Sequence, residues 1–260
     1  MVENTSNSVT LEVTDHVAVI TIARPEARNA INADVAAGIE AAIDRVESSD
    51  DIWVAILTAV PPVFCAGADL KEVAAGNAKK LATARGGFAG FVRRERSKPV
   101  IAAVEGAALA GGAEIVLACD LVVAASSSRF GLPEVSRGLV AEAGGLFRLG
   151  RKIPLNIAMQ AALTGKPIEA AAAERFGLVN VLCDDGGALE AATGLATQLC
   201  RNAPLAVRES RKVILEATYS ADEFAWKRSS AAFASVAASA DVQEGVAAFI
   251  EKREPVWQGK

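Results

Sequence analysis

Five short runs dense in Val, Ile and Ala recur along the chain: VAVITI at 17–22, WVAILTA at 53–59, VIAAVEG at 100–106, LVVAAS at 121–126 and LVNVLC at 178–183. Each is apolar at successive positions, the pattern of a strand covered on both faces. Helical patterns lie between them: NADVAAGIEAAIDRVES at 32–48, with Asn32 as its cap, AKKLATARGGFAGFVRRER at 78–96, weakened by Gly86 and Gly87, and AGGAEIVLACD at 110–120. Doubly covered strands alternating with helices make α/β the expected class. Past about residue 190 the strand pattern stops, and 188–202, 204–218, 221–237 and 241–254 read as four consecutive helices. The expectation is a core over 1–190 and a C-terminal helical region over 191–260.

At 260 residues, 52% hydrophobic and 22% charged, the chain suits one large domain with or without a small appendage. Charges interrupt every apolar stretch well before the roughly 18 residues a membrane span needs, so no membrane partner is expected. The opening MVENTSNSVT has neither a basic nor an apolar leader segment, and a cytoplasmic protein is expected. A formal charge of -4 lacks the basic surface that phosphate backbones require, which argues against a nucleic-acid partner. Cys65, Cys119, Cys183 and Cys200 are scattered among apolar neighbours without a C-x-x-C and read as core thiols of a reducing compartment. With 54 alanines against 13 aromatics, the elements are expected to approach closely.

The chemistry is narrowed by what is scarce. The one histidine, His16, falls in VTDHVAV between two strand-like runs, where a hairpin turn is expected, and there is one tyrosine, Tyr219. His-rich metal sites are excluded, a His-based nucleophile system would depend on His16 alone, and acid/base work passes to carboxylates or lysine. GAALAGG at 106–112 has P-loop glycine spacing, but Gly112 and Ala113 stand where Lys and Ser/Thr are needed, and G-x-G-x-x-G occurs nowhere. Two turns of small residues remain. Gly111 and Gly112 follow a strand and open an apolar helix carrying Glu114 in its first turn, which makes either an anion or oxyanion site or a packing turn. In PPVFCAGADLKEV at 61–73, Ala66-Gly67-Ala68-Asp69 frees a further backbone N–H. Two such donors aimed at one point are what a thioester oxyanion requires.

At these residues the sequence resembles the crotonase superfamily, the enoyl-CoA hydratase/isomerase family, nearly end to end. The resemblance is carried in order by RPEARNAIN at 24–32, FCAGADLKE at 64–72, VEGAALAGGAEIVLACDLVVA at 104–124, FGLPEVSRGLVAEAGGLFRL at 130–149 and LTGKPIEAAAAERFGLVNVL at 163–182. It implies a crotonase-like spiral of ββα units with a C-terminal α-helical trimerisation region, assembled as a homotrimer or homohexamer. It also implies acyl-CoA thioester substrates, with coenzyme A part of the substrate and no separate cofactor or metal.

Carried over by position, the N–H groups of Ala68 and Gly111 would hold the thioester oxygen, and Glu114 and Glu134 match the two glutamates of the hydratases. The implied reaction is addition of water across the C2=C3 bond of a 2-enoyl-CoA, with Glu114 acting on water and Glu134 protonating C2, or with the roles shared or reversed. A third acid, Glu142, stands where hydratases often have a neutral residue and where dienoyl-CoA isomerases and carnitinyl-CoA dehydratases have an acidic one. It keeps isomerase and carnitinyl-CoA dehydratase-like activities open, and an idle acyl-CoA-binding member is a third reading. Glu142 either meets a polar group of the substrate or pairs with Arg137 or Arg148. For coenzyme A the candidates are Arg24, Arg28 and Lys71, with Ala66, Ala68, Asp69, Leu70 and Gly111 on the same segments. Phe249 and Lys252 match tail positions that reach a neighbouring subunit's coenzyme A. The run RRERSK at 93–98 reads as a solvated helix end.

Overall fold

A computed structural model of the chain describes residues 2–202, 204–219, 223, 234, 237–238 and 240–253. The chain opens with β1 (Val2–Asn4), β2 (Val9–Thr14) and β3 (Val17–Ile22), then helix α1 (Ala33–Ser48), β4 (Val54–Ala59), a short helix α2 (Leu70–Ala74) and a small hairpin of β5 (Ala82–Thr83) and β6 (Gly87–Phe88). Two similar units follow. In the first, β7 (Val100–Val104) and β8 (Ala107–Leu109) lead into α3 (Gly111–Ala118); in the second, β9 (Leu121–Ala125) and β10 (Arg129–Gly131) lead into a 3-10 turn, Pro133–Arg137, and α4 (Gly145–Lys152). The chain continues through α5 (Leu155–Thr164), β11 (Ile168–Glu169), α6 (Ala170–Arg175), β12 (Val181–Cys183), α7 (Ala188–Cys200), α8 (Pro204–Tyr219) and a helix over Ala240–Glu251.

The long strands form one sheet in the order β1-β2-β3-β4-β7-β9-β12, antiparallel as far as β3 and parallel beyond it. The short second strands leave it for a separate sheet, β11-β10-β8. Both faces of the main sheet are buried. Ala18, Ile20, Ile22, Leu57, Ala102 and Val122 share a cluster with Val35, Ile39, Ile43 and Val46 of α1, while Val17, Val54, Ile56, Ile101 and Val123 face Ala192 and Ala196 of α7. Alternation of period two therefore persists inside runs that are apolar throughout. The side chain of Asn32 caps α1, its Oδ1 accepting from the Val35 N–H at 2.9 Å. His16 occupies the expected hairpin turn, with positive φ at both Asp15 and His16, and stacks on Trp53.

Three expectations change. The segment 78–96 is not a helix: it forms a 3-10 turn at Ala78–Leu81, the β5–β6 hairpin and irregular turns. Gly87, Ala89 and Gly90 all have positive φ, and Gly90 packs so closely on α1 that a Cβ there would overlap the Ala36 carbonyl. The RRERSK run is not a solvated helix end. Lys98 is buried and donates from Nζ to the Val46 and Ser49 carbonyls at the end of α1, and Arg96, nearly buried, donates from Nη2 to the Ala118 carbonyl at the end of α3. Each cation meets the negative end of a helix. Of LVNVLC, only Val181–Cys183 pairs as a strand, because Asn180 is taken up in accepting the Val122 N–H through its side chain.

In the tail, α7 lies on the main sheet, and Glu105 accepts the N–H groups of Gly186 and Ala188 at its start. The expected helix over 221–237 lies largely outside the described residues. Among the described residues, no helix is long and apolar enough to cross a membrane. Cys65 and Cys119 are buried, while Cys183 and Cys200 are only half-buried.

Candidate active site

Strands β8 and β10 pair in parallel, with Leu109 opposite Gly131, so the segments leaving their ends emerge side by side. The first carries Glu114 in the opening turn of α3; the second carries Glu134 in the 3-10 turn. Between β8 and α3 stands Ala110 at φ +51, a conformation that L residues rarely adopt and that is held here by its N–H donating to the Gly131 carbonyl at 2.9 Å.

The loop 65–69 lies against this junction. Cys65 donates its N–H to the Ala107 carbonyl, and Leu109 donates back to the Cys65 carbonyl at 3.0 Å. Gly67 has φ +100 and sits so close that a Cβ would lie 2.9 Å from the Ala110 Cβ and 3.2 Å from the Gly111 nitrogen. On its other side the loop is fastened to Ile31, which donates to the Gly67 carbonyl and accepts from the Asp69 N–H. The N–H of Ala68, between those two bonds, and the N–H of Gly111, in the first helical turn, have no partner among the described residues. The Phe88 ring covers the Gly111 Cα.

Glu114 is 4% exposed, and its Oε1 accepts the Gly145 N–H at 2.9 Å. Glu134 is half-buried, and its Oε2 is buried without a hydrogen-bond partner. Burial pushes the Glu114 carboxyl up to about 8, with the charge of Glu134 adding to the effect and the backbone of Gly145 and Ala143 and the Arg148 cation opposing it. Burial pushes Glu134 up to about 7, against its own backbone N–H and Arg137. Two adjacent carboxyls that resist ionisation can trade a proton near neutral pH. Among the described residues, no group of three or more His, Cys, Asp or Glu side chains could hold a metal ion.

The coenzyme A candidates gather on one rim. Arg24 pairs with Asp69 at 3.1 Å and donates to the Ala30 carbonyl, so its guanidinium is largely occupied in fastening that rim. Exposed Arg28, at φ +54, accepts the Ala66 N–H through its carbonyl. Leu70 and Lys71 are exposed at the start of α2, where the Asp69 side chain caps the Lys71 N–H at 3.1 Å. Phe249 lies under the guanidinium of Arg137, in the Glu134 turn, and Lys252 is exposed at the end of the same helix, its N–H donating to the Phe249 carbonyl. Glu142 is half-buried on the loop before Gly144 and forms no ion pair or hydrogen bond with any described residue; pairing with Arg137 or Arg148 is not made.

Sequence reasoning missed Asn29. It is buried at φ +53, accepts the Arg24 N–H at 2.9 Å, and donates to the Val60 and Val63 carbonyls at 2.8 and 2.6 Å, tying the 24–30 segment to the approach of the 65–69 loop. Asparagine's tolerance of the left-handed region, beside the breaker-rich RPEAR, was the available signal.

The family model described as enoyl-CoA hydratase/isomerase matches residues 12–260. The chain belongs to the enoyl-CoA hydratase/isomerase family. Within it, the crystal structure of carnitinyl-CoA hydratase from Mycobacterium avium is similar at a TM-score of 0.92 and 42% identity, covering 97% of this chain and 99% of that one. The mevalonyl-coenzyme A hydratase of Aspergillus fumigatus is 40% identical over 257 residues, 94% of this chain and 92% of the relative. The short-chain-enoyl-CoA hydratase of Clostridium acetobutylicum is 38% identical over 256 residues, 95% and 96% of the two chains. The crotonase-like spiral expected from the resemblance is the fold observed: each long strand turns through a short second strand into a helix or 3-10 turn in the β7–α3 and β9–α4 units.

Proposed function

We propose that this family member is an enoyl-CoA hydratase, a hydro-lyase adding water across the C2=C3 bond of a 2-enoyl-CoA thioester. The observation that carries the reading is the pairing of two proton-holding carboxyls, Glu114 and Glu134, at adjacent strand ends beside the unpartnered N–H groups of Ala68 and Gly111. In the proposed reaction a water gives its proton to ionised Glu114 while its oxygen bonds to C3. The π electrons move onto the thioester oxygen as an enolate held by the two N–H donors, and C2 then takes the proton of Glu134. Transfer of a proton from Glu114 back to Glu134 resets the pair.

Hydrogen bonding supports this division of labour. Glu114 already accepts an N–H that favours its carboxylate, whereas Glu134 Oε2 lacks a donor and suits a protonated oxygen. Burial raises both carboxyls, so the assignment of base and acid rests on these hydrogen bonds and not on titration order. The rim of Arg24, Arg28, Ala66, Asp69, Leu70 and Lys71 is proposed to receive coenzyme A. Exposed Leu205, Val213, Ile214 and Ile250 support the helical region after 190 as the contact of a homotrimer or a pair of trimers, from which Phe249 and Lys252 would reach a neighbouring coenzyme A.

Incubation with crotonyl-CoA and a longer 2-enoyl-CoA tests the reading. Loss of the conjugated thioester absorbance with a product heavier by one water is the expected result. Unchanged mass with a displaced double bond would make the protein an isomerase, and binding without conversion would make it an acyl-CoA carrier. The pair should also titrate in two steps. The singly protonated form is the active one, so kcat/KM, which follows the free enzyme, should fall below about pH 7 as both carboxyls become protonated and above about pH 8 as both ionise. A flat profile from about pH 6 to about pH 9 would contradict the shared-proton mechanism.

A second reading concerns substrate choice. Glu142 is a half-buried carboxyl without a partner among the described residues, which favours a thioester with a further double bond or a polar group beyond C3. Glu142→Ala should then lower kcat/KM for such a thioester more than for crotonyl-CoA. Equal effects on both, or none, would remove Glu142 from substrate selection.

A further inference from the structure

Glu114 owes its setting to a turn that is itself held from behind. The N–H groups of Gly145, at 2.9 Å, and of Ala143 both favour the Glu114 carboxylate. Those N–H groups belong to the turn that opens α4, and one helical turn further on Arg148 folds back over it. Arg148 donates from Nη1 to the Ala143 carbonyl at 3.3 Å and from Nη2 to the Val92 carbonyl at 2.7 Å, and its guanidinium rests 5.1 Å from the centre of the Phe147 ring. The turn is thus held on both sides, with the Gly145 N–H donating to Glu114 and the Ala143 carbonyl accepting from Arg148. Val92 belongs to the segment following Phe88, whose ring covers Gly111. One planar fork therefore joins the loop behind the oxyanion donor to the loop behind the carboxyl, a geometry that a single ammonium cannot reproduce.

We propose that Arg148 is a positioning residue: it braces the Ala143–Gly145 turn, and through the backbone of that turn sets the orientation of the Glu114 carboxyl toward water. This deepens the hydratase reading and rests on it for the role of Glu114. The charged groups that bear on Glu114 are Glu134, from the 3-10 turn, which raises it, and Arg148, from α4, which lowers it. Arg148 in turn faces Lys152 on its own helix and Cys119 at the end of α3.

The test compares the full-length protein with Arg148→Met and Arg148→Lys. Two readouts are taken: kcat and KM on crotonyl-CoA, and the substrate-free titration of the Glu114 carboxyl by carbon-13 NMR, assigned with Glu114→Gln. In Arg148→Met, kcat should fall about 10- to 100-fold with KM little changed, as for a misplaced reacting group. The Glu114 titration should move up by about one pH unit with the loss of a nearby cation. Arg148→Lys keeps the charge but not the fork, so the titration should return to its wild-type position while kcat recovers only in part.

A merely structural arginine would lower the melting temperature and leave both readouts unchanged, and that result overturns the proposal. If Arg148→Met does not fold, Arg148→Lys decides alone: wild-type kcat in it overturns the brace, and reduced kcat with an unmoved titration supports it. The hydratase reading fails separately. A wild-type protein that hydrates no enoyl thioester refutes that reading, while the NMR titration still shows whether Arg148 governs Glu114.

Discussion

Glu114→Gln is expected to lower kcat for a 2-enoyl-CoA by about 10²- to 10⁴-fold with KM nearly unchanged, and Glu134→Gln to do the same, because general acid and base groups act in the transition state. Steady-state kinetics with crotonyl-CoA checks both, and near-normal turnover in either variant would end the two-carboxyl mechanism. The same Glu114 substitution should change stability in the opposite direction. A carboxyl pushed from its ordinary 4.5 to about 8 keeps a proton in the folded chain that the unfolded chain releases between those values. Stability therefore falls as pH rises through that window, and the penalty is complete above about 8. The amide of Gln still accepts the Gly145 N–H but carries no charge to bury. The variant should match the wild type near pH 4 and exceed it near pH 9 by on the order of 5 kcal/mol, as read by denaturant unfolding at both pH values. A stability difference that does not grow with pH would mean that Glu114 is not strained by burial.

Gly111→Pro is expected to reduce kcat by about 10²- to 10³-fold although no side-chain chemistry is lost, since proline removes one of the two proposed oxyanion donors. Proline suits the first position of a helix, but two features of the site complicate the substitution. Any Cβ at 111 meets the Phe88 ring, and Ala110 at φ +51 and ψ -127 is outside the region preferred before proline. Gly111→Ala is therefore the necessary companion, because it brings the same crowding and keeps the N–H. If the donor matters, the Pro variant should fall well below the Ala variant in kcat while both remain folded and equally oligomeric by light scattering. Equal kcat in the two would place the oxyanion contact elsewhere.

The parts of the protein that were legible in the sequence are those decided by nearest neighbours. The β3, β4, β7 and β9 runs declare strands because nothing but a doubly covered sheet can bury them, and Asn32 with the apolar spacing of Val35, Ile39, Ile43 and Val46 declares α1. The turn residues around Gly67 and Gly111, with Glu114 just after the second, were likewise open to reading, since free N–H groups and the scarcity of His and Tyr narrow the chemistry before any folding is considered; Glu134 stood out among the 31 acids only through the family resemblance. The segment 78–96 shows where such reading ends. Its helix formers lose to the positive φ of Gly87, Ala89 and Gly90, the last packed closely on α1, a partner some fifty residues away in sequence.

Only the tertiary structure decided which groups meet. Arg96 and Lys98 look like a solvated basic run until the carbonyl ends of α3 and α1 arrive to take their N–H groups. Arg24, a candidate for a phosphate, is drawn to Asp69, 45 positions away. Glu114 and Glu134 are twenty residues apart in the chain, and it is the parallel pairing of β8 with β10 that sets them side by side. That pairing also fixes their properties. Burial is a property of the packed whole, and desolvation of both carboxyls, with the charge of Glu134 adding to it at Glu114, pushes the two up toward neutral pH.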